Sequence, residues 1–192
     1  MRRRAVFLDR DGVINRVLMK EGRPHPPERV EDLELLPGVR EAVGLLRGAG
    51  FLVIVATNQP DVGRGVLRRE VVEEMHGALR EWLPIDDLRV CYHDDLDGCE
   101  CRKPLPGMLM EAAREWGVDL AGSFLVGDRW RDISAGRAAG CPTFLIGDGY
   151  GETFPDAPDA VAGSLLEASE RIIVGCGPAD VAMHAESPGG ES

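Results

Sequence analysis

The 192-residue chain is 29% charged and carries a formal net charge of -11, which repels nucleic acid at long range and argues against a DNA or RNA partner. Its length suits a single domain with a real core, and no stretch approaches the roughly 20 apolar residues that a membrane helix needs. Met1-Arg2-Arg3-Arg4 lacks the apolar run of a secretory signal, so the five cysteines are expected in a reducing, cytoplasmic compartment, where thiols bind metal in preference to forming disulfides.

Val6, Phe7 and Leu8 form a short apolar run that predicts a buried strand, and the chain leaves it through Asp9-Arg10-Asp11-Gly12. Residues two apart in extended backbone face the same side, so the carboxylates of Asp9 and Asp11 can address one ligand, while Gly12 permits a sharp turn. Two like charges held so close need a divalent cation or a retained proton. Mg2+ is held by carboxylates together with phosphate oxygens, and a carboxylate can itself attack phosphorus. Alone, the tetrapeptide reads as a solvated turn; its companions downstream give it meaning.

A helix is predicted over Gly38 to Gly48, with Val39, Val43, Leu45 and Leu46 at helical spacing and a stop at Gly48 and Gly50. Phe51 to Ala56 is a second buried strand, ending in Thr57-Asn58, whose hydroxyl and amide suit phosphate oxygens. Leu67 to Leu83 predicts a second helix; its His76 is read as a structural or surface residue, not a ligand. Gly107 to Trp116 is a third helix. Ser123 to Val126 is a third strand, ending in Gly127-Asp128, with Asp132 one helical turn on. A helix over Arg131 to Ala139, a strand over Pro142 to Ile146 and a helix near Gly163 to Val174 follow. The domain is expected over residues 1–174, and residues 175–192, rich in Gly, Pro, Ala and Ser, are expected to be a disordered tail. Alternating strands and helices predict an α/β fold, a parallel sheet covered on both faces, with ligands at the carboxyl ends of the strands. The segments between the motifs are too short for a cap domain, so the site should be open to solvent.

Two further signals lie between the second helix and the third. Cys91, His93, Cys99 and Cys101 fall within eleven residues, and three thiolates with an imidazole form the ligand set of a closed, structural Zn2+ site. Lys103 follows two residues later. The 22 basic residues comprise twenty arginines and two lysines, Lys20 and Lys103, and a compact ammonium suits a phosphoryl group among carboxylates better than a planar guanidinium does. Because Lys103 trails the last zinc ligand so closely, the zinc loop, residues 91–103, should position it. Cys141 reads as a small core residue.

These segments, FLDRDGV, TNQ, CRKP and GD followed by an Asp four later, resemble in order and spacing the four motifs of the haloacid dehalogenase superfamily of phosphatases, over roughly residues 5 to 150. The resemblance implies a Rossmann-like fold, with Asp9 as nucleophile and Asp11 as general acid and base. Thr57 and Lys103 would stabilise the phosphoryl group. Asp9, Asp128 and the main-chain carbonyl of Asp11 would hold Mg2+, with Asp132 one layer behind the ion. The zinc loop is similar to that of the branch holding the D-glycero-D-manno-heptose 1,7-bisphosphate 7-phosphatases and the histidinol-phosphate phosphatases. By the same resemblance Val17 to Lys20, Asn58, Gln59, Pro60, Arg102 and Arg129 would contact a sugar phosphate; Pro60-Asp61 departs from the commoner Ser-Gly at that lip. Arg64 is as well explained by a solvent-facing role. The implied enzyme is a monomeric, Mg2+-dependent phosphatase of a small soluble substrate. Histidinol phosphate is the alternative substrate, and a non-catalytic, zinc-stabilised binding module is the alternative of another class.

Overall fold

A computed structural model of the chain describes residues 2–20 and 22–175; of the tail expected over residues 175–192, Gly175 is the last residue of a helix and the rest, with Cys176, lies outside the described residues. Six strands, β1 (Ala5–Leu8), β4 (Leu52–Asn58), β5 (Asp87–Cys91), β6 (Phe124–Gly127), β7 (Thr143–Ile146) and β8 (Ala160–Ala162), form one sheet in the order β5-β4-β1-β6-β7-β8, with every pairing parallel. β2 (Leu18–Lys20) and β3 (Arg23–His25) make a separate antiparallel hairpin.

Side chains on a strand alternate between faces, and the core divides accordingly. Val6, Leu8, Val53, Val55 and Val126 pack on one face with residues of α1 (Val39–Gly48), α3 (Arg69–Trp82) and α6 (Leu165–Gly175). Ala5, Phe7, Leu52, Ile54 and Leu125 pack on the other with α4 (Gly107–Trp116) and α5 (Trp130–Ala139). The continuous apolar runs of β1 and β4 follow from burial on both faces. Among the described residues no inserted domain covers the sheet, in line with the expected absence of a cap, and no helix is long and apolar enough to cross a membrane.

The apolar runs and helices read from the sequence all appear, within two residues at each end; β4 continues through Thr57 and Asn58, and Leu45, read as part of the apolar face of α1, is exposed, the face being made by Val39, Ala42, Val43 and Leu46. The hairpin, the short helix α2 (Pro60–Gly63), β5 and β8 were not anticipated. β5 reads Asp-Leu-Arg-Val-Cys, an edge strand whose polar residues break the apolar run. It decides where the zinc loop lies: its register pairs Cys91 with Asn58, and Gln59 N donates to Cys91 O at 2.7 Å. The cysteine cluster therefore starts at the carboxyl end of the sheet.

Candidate active site

Asp9 follows β1 directly, and its backbone N–H donates to Val126 O of β6 at 2.9 Å, so the ladder fixes the point from which its side chain projects. Asp9 Oδ1 accepts from Arg10 N at 2.8 Å and lies 2.9 Å from Lys103 Nζ. Lys103 is 2% exposed; its ammonium also reaches Asp132 Oδ1 at 2.5 Å and Ala56 O at 2.8 Å. Burial opposes that charge, yet Asp132 and Asp9 together hold the ammonium above the usual lysine range. Burial pushes Asp9 up to about 7 against the pull of Lys103, with Asp132 and Asp11 adding to the rise. Asp128 is raised well above its ordinary value, first by burial and then by Asp9 and Asp132.

Backbone geometry makes this crowding possible. Gly12 has φ +84°, and a Cβ there would stand 1.8 Å from Asp128 Oδ2, so only glycine fits. Gly127 is equally confined, since a Cβ would meet that of Asp132 at 2.1 Å. Asp132 sits in the first turn of α5, its Oδ2 accepting from Arg129 N at 3.2 Å. The Asn58 side chain clamps the Lys103 backbone from both sides, donating to its carbonyl at 2.9 Å and accepting from its N–H at 3.1 Å.

Above this cluster opens a cavity of about 790 Å³, lined among others by Asp9, Asp11, Val17, Asn58, Arg102, Lys103, Asp128, Arg129 and Asp132. Thr57 and Gln59 are buried and are absent from the lining: Gln59 Nε2 donates to Thr57 Oγ1 at 2.9 Å and to Asp11 Oδ2 at 2.8 Å. Lys20 is also away from the lining, its ammonium paired with Glu28 at 2.5 Å. Arg102 binds Asp95 at 2.8 Å, Arg129 pairs with Glu152, and Arg64, which does line the cavity, pairs with Asp94 at 2.6 Å. The sequence reading missed Arg23 and His25 of the hairpin, Asp95, Arg131, Tyr150 and Glu152, all of them in the lining. Arg131 is a neighbour of motif residues and could have been noted; nothing local marks the others.

Residues 100–168 match the HAD-hydrolase-like family model. Over 155 residues, 74% of this chain and 83% of the relative, the sequence is 40% identical to the D-glycero-beta-D-manno-heptose-1,7-bisphosphate 7-phosphatase of Rhodopseudomonas palustris. The chain belongs to the haloacid dehalogenase superfamily of phosphatases. The D-glycero-D-manno-heptose-1,7-bisphosphate 7-phosphatase of Thermosynechococcus vestitus is 36% identical over 203 residues, covering 93% of this chain and all of the relative. Among solved structures, the D,D-heptose 1,7-bisphosphate phosphatase of B. bronchiseptica, complexed with magnesium and phosphate, superposes with a TM-score of 0.77 at 33% identity, covering 90% of this chain and 99% of that one.

The acid cluster of this haloacid dehalogenase phosphatase fits a divalent cation. Ligand oxygens of Asp9, Asp128 and Asp132 lie within 4.8 Å of one another. Both Asp132 oxygens are committed, one to Lys103 and one to Arg129 N, whereas Asp128 Oδ1 is buried without a partner. Asp128 Oδ2 accepts from the Tyr150 hydroxyl at 2.8 Å. An orphaned carboxylate oxygen beside a second carboxylate is the donor set a hard ion takes.

The second cluster fits zinc. Cys91 Sγ lies 3.7 Å from Cys99 Sγ, 3.1 Å from Cys101 Sγ and 3.6 Å from His93 Nδ1, and His93 Nδ1 lies 3.3 Å from Cys101 Sγ. The cysteines are free. Ligands about 2.0–2.3 Å from a tetrahedral ion stand roughly 3.3–3.8 Å apart, so these are close to the edges of a zinc tetrahedron and far from a disulfide. Burial pushes the Cys91 and Cys101 thiols up, which leaves protons for a metal to displace.

Proposed function

We propose that this protein is a Mg2+-dependent phosphatase that hydrolyses the 7-phosphate of D-glycero-D-manno-heptose 1,7-bisphosphate through an aspartyl-phosphate on Asp9. The observation that carries the reading is the Asp9 carboxylate at the carboxyl end of β1, 2.9 Å from a buried lysine on the floor of an open, arginine-lined cavity. The named relatives support the substrate.

Asp9 attacks phosphorus in line with the ester oxygen; the new P–O bond forms as the bond to the sugar oxygen breaks. Asp11 gives the departing alkoxide its proton, then takes one from the water that cleaves the aspartyl-phosphate. Lys103 offsets charge on the equatorial oxygens. Thr57 Oγ1 accepts from Gln59, which leaves its own proton for a phosphoryl oxygen. Asp9, Asp128 and the Asp11 main-chain carbonyl would hold Mg2+, which when bound neutralises the phosphoryl oxygens and the acid cluster. Asp132 acts from behind by fixing Lys103. Cys91, His93, Cys99 and Cys101 would hold Zn2+ in a structural role. Arg102 and Arg129, now paired with acids, are the groups that a sugar phosphate would recruit, with Val17 and Asn58 shaping the lip, while Gln59 acts from beneath through Thr57 and Asp11 and Lys20 stands apart. A reducing cytoplasm keeps the thiols available, and residues 1–174 act as one catalytic unit.

Phosphate release measured with Mg2+ on both anomers of heptose 1,7-bisphosphate and on histidinol phosphate tests the reading. A kcat/KM preference for one heptose anomer supports it, and preference for histidinol phosphate refutes the substrate. Asp9→Asn should abolish turnover with the fold and zinc retained; near wild-type turnover, with deamidation excluded by mass spectrometry, refutes the nucleophile.

A further inference from the structure

Arg10 stands between the two motif aspartates, yet its side chain is fully buried and is not part of the cavity lining. Its guanidinium grips both oxygens of the Asp11 carboxylate, Nε to Oδ2 at 3.1 Å and NH2 to Oδ1 at 3.1 Å. Asn15 and Gln59 complete the cradle at 2.9 and 2.8 Å. The third arm, NH1, meets Nε2 of His76 in α3 at 3.1 Å. His76 is also 0% exposed. A guanidinium only donates, so Nε2 must accept and the ring proton sits on Nδ1. Glu73 Oε2 lies 3.6 Å from that nitrogen, and Glu73 is itself held by the Tyr92 hydroxyl at 2.6 Å. Burial, with Arg10 adding, pushes His76 down to about 4, so the ring stays neutral and remains an acceptor.

We propose that His76 is a positioning residue for phosphoryl transfer: by accepting from Arg10 it fixes the guanidinium whose two-pronged grip sets the place of the Asp11 carboxyl. This rests on Asp11 being the acid that protonates the leaving alkoxide. A buried guanidinium nitrogen needs an acceptor, here His76, and small displacements of a catalytic group are costly. His76 touches no reacting atom; it acts through Arg10.

The test uses the zinc-loaded protein with saturating Mg2+ and two esters, β-glycerophosphate and p-nitrophenyl phosphate. Alkoxide departure needs a proton, whereas nitrophenolate departs without one, so kcat/KM on the two esters separates acid positioning from general damage. His76→Leu, which cannot accept, should lose about tenfold or more on β-glycerophosphate and less than about threefold on p-nitrophenyl phosphate. His76→Gln, whose amide oxygen reaches nearly as far as Nε2, should stay within about threefold on both. Equal losses on the two esters, a glutamine variant as poor as the leucine variant, or a leucine variant as active as wild type would overturn the proposal. If His76→Leu does not fold, Arg10→Lys, which keeps the charge and loses the grip, must show the same ester-dependent loss. If wild type is inactive on both esters, phosphate release from heptose 1,7-bisphosphate, whose leaving group is also an alkoxide, takes the place of β-glycerophosphate, with the same loss of about tenfold or more expected of His76→Leu; wild-type inactivity there too would refute the phosphatase reading and this inference with it.

Discussion

Lys103→Met removes the one ammonium in the acid cluster while keeping its apolar stem. Lys103 is 2% exposed and bridges Asp9 and Asp132, with Asp128 in the same cluster as those acids. Breaking a buried pair by deleting one partner costs about 3–5 kcal/mol, and at about 2–4 °C per kcal/mol for a chain of this size the melting temperature should fall by roughly 6–20 °C. The sign with pH is fixed. The lysine is held above its unfolded value of 10.5, so its contribution is fully present below that pH. Asp9, raised from 3.8 to about 7, keeps its proton longer in the fold than in the unfolded chain, so its ionisation costs stability as pH rises from 4 to 7. The deficit of the variant is therefore larger at pH 8 than at pH 5, where the cluster can take up a proton. Mg2+ supplies the missing charge, and at 100 times its dissociation constant would return about 2.7 kcal/mol. Thermal denaturation of metal-free protein at both pH values, then with Mg2+, measures all three effects, and kcat should drop by about two to three orders of magnitude. A variant melting within about 2 °C of wild type in metal-free buffer at pH 8 would refute the account of the cluster.

Three other outcomes follow from the geometry. Zinc chelation should lower turnover at least about tenfold by loosening the segment that ends at Lys103, with recovery on refilling with Zn2+ and none with Mg2+ alone; unchanged activity in protein shown to be zinc-free would contradict this. Gly12→Ala, forced into φ +84° with Asp128 Oδ2 1.8 Å from the new carbon, should lose about 1–3 kcal/mol and most of its Mg2+ affinity, read by urea denaturation and calorimetry. His76 drops from 6.5 to about 4 on folding, so the unfolded chain binds the extra proton between those values. The stability it contributes is complete above pH 6.5 and is lost as pH falls towards 4, by up to about 3 kcal/mol. Asp9 runs the opposite way, so the quantity to follow is wild type minus His76→Gln in urea from pH 7 to 4.5; a difference constant across that range would count against a neutral buried ring.

Strands β1, β4, β6 and β7, the helices, the turns bearing Asp9, Asp11, Thr57, Asp128 and Asp132, and the Cys-His cluster of residues 91–101 can be read directly from the order of the residues. These were legible because each rests on local physics: an apolar run buries on both faces of a sheet, a helix repeats near 3.6 residues, and three cysteines and a histidine crowd into eleven positions. The remaining features depend on how the chain packs. The pairing of Cys91 with Asn58 brings the Cys-His cluster beside the site, and no property of Asp87–Cys91 as a segment announces it. The Asn58 clamp on Lys103 spans 45 positions and the Arg10–His76 contact spans 66. Asp128 and Asp132 are chemically alike in sequence, yet one keeps an orphaned oxygen and the other is saturated by Lys103 and Arg129 N. Hydrogen bonds reach about 3 Å and leave no periodic trace along the chain, so partners this far apart in sequence become defined only when the sheet sets their positions.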